Sequence, residues 1–342
     1  MGEGFAPRFE IGRHAVGADC PVYLIAEAGV AHFGSEDKAY RLVDLAVAAK
    51  ADAVKFQIFD VNALIADELP EWRERLGSRQ LPYEAFERIA TYCAKAGIQF
   101  LATAHDEPSL EFLSGLGVPA YKVGSGEVGN WPFLQKVAAL GKPMLVSVGM
   151  YANDQITDAL RVIAATGQQQ VALLHCVTRY PTPPNEAALG NILALREKFA
   201  GVVGYSDHTR GFHFPLAAAA LGASIIEKHI TLDYDVPNAQ DWKVSCGPPD
   251  LATFIGQLRE IESGRDRRGA GPTASELENK LWATKSLVTL RDILAGSRLS
   301  AEDLTAKRPG TGVRPSELSK VIGRTLAVDL PRDAVLRWEH LS

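Results

Sequence analysis

Ala120–Glu127, AYKVGSGE, starts as an apolar strand, places a lysine where that strand stops, and closes on Gly-Ser-Gly followed by a carboxylate. Gly124 and Gly126 let the backbone turn with no Cβ in the way and bring N–H groups and the Ser125 hydroxyl against an oxyanion, while Lys122 supplies a compact positive charge. These are the parts of a phosphate cradle at the C-terminal end of a strand. Glu127, on the rim of such a cradle, is a poor neighbour for a phosphate unless it handles a water or a proton. An ordinary strand-to-helix turn with a surface lysine and glutamate accounts for the octapeptide equally well, so its neighbours decide.

Working outward, seven more short apolar or β-branched runs have the same build: VYLIAEA (Val22–Ala28), AVKFQI (Ala53–Ile58), QFLATAH (Gln99–His105), PMLVSVG (Pro143–Gly149), VALLHCV (Val171–Val177), VVGYSDH (Val202–His208) and SIIEKHI (Ser224–Ile230). Amphipathic helical stretches lie between them, among them Lys38–Lys50, Tyr83–Ala96, Glu107–Leu116 and Gln155–Ala165. Strands alternating with helices predict βαβ units on a parallel sheet, and eight of them over about 250 residues predict an α/β fold, the (β/α)8 TIM barrel. A doubly wound sheet would carry fewer strands and a Gly-rich first turn, and no GxGxxG follows the first run.

The polar residues then fall in one place. At or just past the C-terminal ends of the runs stand Glu27, Lys55 and Gln57, Thr103 and His105, Lys122, Ser125 and Glu127, Ser147, His175 with Tyr180 beyond it, Ser206 and His208, and Glu227 and His229. In a barrel these ends converge on one mouth. A packing core alone would not hold two lysines and several carboxylates there, because unpaired buried charge is expensive.

Composition narrows the partners. At 342 residues and 46% apolar content the chain is globular and large enough for one big domain and a small one. Lys plus Arg number 36 against 41 Asp plus Glu, a net charge of −5 that offers no basic face to nucleic acid, so any anion site must be built locally. No basic start leads into an apolar run, and no apolar stretch is long enough to cross a bilayer, which predicts no membrane partner. Cys20, Cys93, Cys176 and Cys246 lie far apart without a CxxC pair and fit reduced thiols in a cytoplasmic protein. Residues 1–262 form the expected barrel, with Asp250–Glu262 as its last helix. Residues 263–282 read as an Arg- and Gly-rich linker with a helical Ser275–Trp282, and residues 283–342 as a β-rich module with a helix near Pro315–Val321. A module that small is marginal alone and is expected to dock on something.

Eight blocks occur in the order of a known family: IAEAGVAHFGS (Ile25–Ser35), ADAVKFQ (Ala51–Gln57), PAYKVGSGE (Pro119–Glu127), GKPMLVSVGM (Gly141–Met150), LLHCVTRYPTPP (Leu173–Pro184), GYSDHT (Gly204–Thr209), IIEKHI (Ile225–Ile230) and KRPGTG (Lys307–Gly312). The chain resembles, nearly end to end, the sialic acid synthases and related nonulosonic acid synthases, and its last module resembles their antifreeze-like (SAF) domain. The resemblance implies a transferase that condenses phosphoenolpyruvate with an open-chain amino sugar. It implies that Lys55, Gln57, Thr103, Lys122, Ser125, Ser147 and Ser206 hold the phosphate and carboxylate. It assigns a divalent metal, Mn²⁺ or Mg²⁺, to His208 and His229, each beside an acid (Asp207, Glu227) able to orient its second nitrogen. Glu27 and Glu127 match acid/base and sugar-contact positions, Tyr180 and Asp241 sugar contacts, and Arg308 the arginine that a domain-swapped partner offers to the acceptor. Taken singly, these residues have bland readings: hydroxyls that cap turns, core histidines, and a basic turn begun by Pro309.

Departures from the family pattern gather on the acceptor side. Ala31 and Phe33 stand where asparagines are common, Ala104 and His105 replace a proline and a phenylalanine, Pro237–Ser245 carries an extra residue before Asp241, and the segment Asp60–Pro82 is short. Lost amides and added aromatic surface predict an acceptor other than N-acetylmannosamine. Two rivals remain on the same barrel: a class I aldolase with Lys55, Lys122 or Lys228 as Schiff base, and a non-catalytic sugar-binding protein.

Overall fold

Alternation along each run decides the architecture. The structure, a computed structural model, describes residues 4–237, 239–265 and 271–342. After an antiparallel hairpin, β1 (Arg8–Ile11) and β2 (His14–Gly17), come β3 (Tyr23–Gly29), β4 (Ala53–Ile58), β5 (Gln99–Ala104), β6 (Tyr121–Val123), β7 (Met144–Ser147), β8 (Val171–Cys176), β9 (Val202–Asp207) and β10 (Ile225–His229). β3 to β10 pair in parallel in chain order, and β10 returns to β3 to close an eight-stranded barrel. Each of the eight sequence runs is one of these strands.

Because side chains alternate faces, one set packs the barrel interior: Tyr23, Ile25, Ala53, Leu101, Ala120, Leu145, Ala172, Leu174, Val202 and Ile225. The intervening set, including Leu24, Val54, Phe56, Phe100, Val146, Leu173 and Ile226, packs outward in the larger core, each large side chain contributing about 1.5–3 kcal/mol of burial. Phe9, Ile11 and Val16 of the hairpin join the interior cluster and close the barrel at the N-terminal ends of its strands. The hairpin turn needs Gly12, whose φ is +58° and whose added Cβ would lie 2.0 Å from the Gln99 amide nitrogen. Four-residue strands carry too little periodicity to stand out, and the sequence reading passed over them.

The helices follow their local signals. Glu36–Ala48 begins under a Ser35 side chain that accepts from the Lys38 N–H, and Tyr83–Ala96 ends at Gly97 with φ +79°. Asp60–Pro82, the segment shorter than is usual in the family, holds helices Val61–Leu64 and Pro70–Gly77. Among the described residues no helix is long and apolar enough to cross a membrane.

The chain divides into two compact units, Met1–Asp266 and Arg267–Ser342. The second has its own core of Leu287, Ile293, Leu299, Leu304, Val313, Val321, Leu326, Leu330 and Leu336 around antiparallel β11 (Ser286–Thr289) and β12 (Leu304–Lys307). Its first helix, Ala274–Ala283, is capped reciprocally by Thr273 and Glu276 and occupies the second half of the expected linker. Residues 266–270 of that linker, and Asn238 in the Pro237–Ser245 block, lie outside the described residues.

Candidate active site

Continued toward the C-terminal strand ends, the same alternation turns the interior from apolar to polar. Above Ile25, Ala53, Leu101, Ala120, Leu145, Leu174 and Ile225 stand Glu27, Lys55, Thr103, Lys122, Ser147, Cys176 and Glu227. With Gln57, Ser125, Tyr180, Ser206, His208 and His229 they line a cavity of about 210 Å³. Lys55, Lys122, Glu27 and Glu227 are all at most 6% exposed, so each charge must be answered by a neighbour.

Lys55 is the hub. Its ammonium donates to Thr103 Oγ1 at 2.9 Å and lies 2.8 Å from Glu27 Oε2 and 3.6 Å from Glu227 Oε2. The last two are charge contacts without good hydrogen-bond direction, since neither carboxylate oxygen has a hydrogen-bond partner. Glu27 Oε1 accepts from the Gln57 amide at 3.0 Å, and Glu227 Oε1 accepts from Ser206 at 2.8 Å with Lys122 Nζ 3.9 Å away.

These environments push the two carboxyls apart. Burial raises Glu27 above the ordinary range; Lys55 opposes the shift and Glu227 adds to it. Burial also acts to raise Glu227, but Lys122, Lys55 and the Ser206 hydroxyl outweigh it and hold it at about 2. Lys122 is lowered by burial, while Lys55 is raised because Glu227 and Glu27 overcome its burial. His229 is lowered to about 4 by burial, and His105 likewise by burial with help from Lys55 and Lys122. A carboxyl shifted upward thus sits beside one shifted downward, the kind of separation that divides acid and base roles.

At the AYKVGSGE turn, Ser125 Oγ accepts from the Gly149 N–H at 3.0 Å, and the buried Ser147 hydroxyl has no hydrogen-bond partner among the described residues. A donor left over beside two lysines is what an incoming oxyanion would use. A Cβ on Gly149 would meet Thr178 Oγ1 at 2.7 Å, Ser125 Oγ at 2.8 Å and the Cys176 carbonyl at 3.1 Å. Gly149→Ala is therefore expected to weaken anion binding about tenfold or more with the barrel still folded; an unchanged affinity for phosphoenolpyruvate in a binding titration would remove Ser125 from the cradle.

His208, just past the end of β9, and His229, at the end of neighbouring β10, have ring centroids 5.4 Å apart. The acids expected to orient them do other work. Asp207 points outward by the period-two rule and pairs with the fully buried Lys228 at 2.5 Å, while also accepting from Tyr205 and Thr209. Glu227 serves Ser206 and the two lysines. The His208 ring is oriented instead by the Val177 carbonyl, 2.7 Å from Nδ1.

Three sequence-predicted residues do not line the cavity. Glu127 is half-buried on the rim, accepting from the Asn130 amide at 2.7 Å. Asp241 starts a short 3₁₀ turn, Asp241–Val244, within electrostatic reach of His229 and Tyr180. Arg308 belongs to the second unit, exposed, with its guanidinium 5.3 Å from the Trp282 ring centre. The cavity also takes in Glu227, His105, Cys176 and Thr178, which sequence reasoning left without a catalytic or binding role. The strict in-out alternation of β10 and β8 would have found Glu227 and Cys176. It also turns His175 outward, where it stacks on Tyr205 and donates to the Ala187 carbonyl at 2.9 Å. His175 thereby lines a larger cleft of about 370 Å³ between helices Asn153–Ala164 and Gly190–Lys198, whose only charged lining residue is Lys198.

A parallel barrel whose mouth combines two buried lysines, two carboxyls shifted in opposite directions and a pair of imidazoles has the equipment of an enzyme for small anionic substrates. Comparison with known proteins makes this definite. A sequence profile of the NeuB family matches residues 42–268, and one of the SAF domain matches residues 284–342. N,N'-diacetyllegionaminic acid synthase of Campylobacter jejuni is 36% identical over 92% of this chain and 98% of its own. Human N-acetylneuraminate-9-phosphate synthase is 31% identical over 95% and 94%. The solved structure of N-acetylneuraminic acid synthetase from Leptospira borgpetersenii, in complex with citrate, superposes with a TM-score of 0.75 at 32% identity, covering 80% of this chain and 94% of that one. The chain belongs to the NeuB family, the sialic and nonulosonic acid synthases, and carries that family's SAF domain.

Proposed function

We propose that this protein condenses phosphoenolpyruvate with the open-chain form of an amino aldose, giving a 3-deoxy-2-keto sugar acid and inorganic phosphate. The observation that carries the reading is the cavity floor. Lys55 and Lys122 converge there with Thr103, Ser125, Ser147 and Ser206, a set suited to a small anion bearing both a phosphate and a carboxylate.

In the reaction, C3 of the enolpyruvate bonds to the aldehyde carbon and the aldehyde oxygen takes a proton. Water then adds at C2 and gives up a proton, and the C2–O bond to phosphate breaks as the keto group forms. Lys55 and Lys122 hold and neutralise the phosphate and carboxylate. Glu27, raised by burial, is the cavity group suited to move the proton of the C2 water. Glu27 thereby takes the water-handling task that the AYKVGSGE turn suggested for Glu127, and Glu127, on the rim, is left to the acceptor. Gln57 fixes the Glu27 carboxyl through the 3.0 Å hydrogen bond.

His208 and His229 are the residues that would hold a divalent cation, Mn²⁺ or Mg²⁺. The donor set fits: burial pushes His229 down to about 4, which favours its neutral ring, and the Nδ1–H of His208 is committed to a carbonyl, so its neutral ring offers Nε2 as a lone pair. Burial of His208 is outweighed by Cys176 and the Val177 carbonyl, which raise its affinity for a proton. No third His, Cys, Asp or Glu is grouped with them at metal spacing among the described residues, which leaves positions for water and substrate oxygens. The cation supplies Lewis-acid polarisation of the aldehyde carbonyl.

On the acceptor side, Phe33 presents a ring flanked by Arg79 at 5.3 Å and Lys38 at 5.5 Å. This aromatic and cationic wall, in place of amides, supports an acceptor other than N-acetylmannosamine. Tyr180 and Asp241 complete that side, and Arg308 is offered by a second copy of the chain in a domain-swapped homodimer. Of the Schiff-base candidates, Lys228 faces away from the cavity and Lys55 is held charged, while Lys122, lowered by burial, is the one the borohydride test must exclude.

Incubation with phosphoenolpyruvate, Mn²⁺ and a panel of hexosamines and 2,4-diacetamido sugars should release phosphate stoichiometrically with one keto acid product, identified by mass. A chelator should abolish the release, and borohydride with substrate should leave the protein active. Phosphate release from no sugar would end the synthase reading, chelator-resistant turnover would end the cation reading, and N-acetylmannosamine as best substrate would end the altered-acceptor reading.

A further inference from the structure

We infer that Tyr180 is the built-in occupant of the cation position: its hydroxyl holds the ligating nitrogen of His208 until a divalent cation takes that nitrogen, and cation loading then frees Tyr180 to meet the acceptor. The inference rests on the reading of His208 and His229 as the cation pair.

The tautomer comes first. A carbonyl oxygen can only accept, so the 2.7 Å contact between Val177 O and His208 Nδ1 places the ring proton on Nδ1. Cys176 Sγ lies 3.6 Å from the same nitrogen, a weaker contact that the carbonyl outcompetes. In the neutral ring that a cation requires, Nε2 is then the single lone pair, and the group facing it is the Tyr180 hydroxyl at 2.9 Å, which donates to it. The Tyr180 ring lies 4.1 Å from the His208 ring and meets His229 edge-on at 5.7 Å, so one phenol covers both imidazoles. Hydrogen bonding and coordination cannot share one lone pair.

Cation binding at Nε2 must therefore break the O–H···N bond. A hydroxyl in this cavity that loses its partner is destabilising until it finds another. Tyr180 lines the cavity on the loop beyond β8, where the available new partners are a water on the cation and the hydroxyls of an acceptor. Cation affinity and acceptor recognition are thus joined through one side chain. The cation binds more weakly than two free imidazoles would allow, and the acceptor contact is released only once the cation is in place.

Mn²⁺ alone, titrated into the metal-stripped full chain, tests this. Tyr180→Phe keeps the ring packing and removes the competing donor, so it should bind Mn²⁺ about fivefold more tightly than wild type, the equivalent of one modest hydrogen bond. A second readout does not depend on the variant's affinity. In protein labelled with 3-fluorotyrosine, of the nine tyrosines the ¹⁹F resonance missing from Tyr180→Phe should be one that shifts when Mg²⁺ is added. Equal or weaker Mn²⁺ binding by a folded Tyr180→Phe, or a Tyr180 resonance that stays still, would overturn the inference. If wild type binds Mn²⁺ and His208→Ala does not, the cation pair stands whatever Tyr180 does. If wild type binds neither ion, the cation reading falls and this inference with it.

Discussion

Lys55→Met should lower turnover by about 10²–10³-fold, the usual loss when one preorganised charge facing the reacting group is removed, and should make stability pH-dependent in a way wild type is not. The ammonium touches Thr103 and answers both Glu27 and Glu227. Without it, Glu227 keeps Lys122 at 3.9 Å as its cation, but Glu27 loses the main force opposing its upward shift. A carboxyl whose folded pKa lies above its unfolded value of about 4.3 adds stability below that value and forfeits it as pH rises through the folded pKa. The variant should therefore approach wild type near pH 5 and fall behind it toward pH 8, by up to the roughly 3–5 kcal/mol typical of a buried pair deprived of one partner. Urea unfolding at the two pH values measures the difference; a gap of the same size at both would mean that Glu27 is not the group left exposed to the change.

Lys228→Met should cost stability on the same scale and at every pH, and should do so without touching the reaction centre. Lys228 and Asp207 are register partners on β10 and β9, and their side chains, both 0% exposed, meet at 2.5 Å outside the barrel wall. Lys228 also donates to the Thr209 carbonyl at 2.8 Å. Removing it leaves Asp207 ionised in an apolar layer, at a cost of about 3–5 kcal/mol, whereas replacing both partners by apolar residues should restore most of that loss. Chemical denaturation of Lys228→Met and of the Lys228→Met/Asp207→Leu pair checks both statements. The surviving folded fraction of Lys228→Met should keep wild-type affinity for phosphoenolpyruvate; loss of that affinity would bring Lys228 back as a participant in the chemistry.

Much of this was legible from the chain. Eight apolar runs separated by helical stretches pointed to the barrel, and the lysines and hydroxyls at their ends to the floor of the site, because a strand fixes both where a side chain lies and which way it points. The errors came where that second property was not applied. Asp207 and His175 sit one residue from inward positions, so alternation sends them outside the wall, while Glu227, two residues before His229, must share its face. Glu127 and Asp241 lie on turns past the strand ends, where no period governs direction and only neighbours such as Asn130 decide. The hairpin Arg8–Gly17 escaped notice because what orders it is the apolar end of the barrel, not its own sequence.

That hairpin also governs traffic. Phe9, Ile11 and Val16 pack into the apolar interior cluster, so the polar cavity has an apolar layer beneath it on the hairpin's side. On the proposed reaction, phosphate released at the lysines would then have to leave through the C-terminal mouth, past the acceptor's position, and could not drain out underneath.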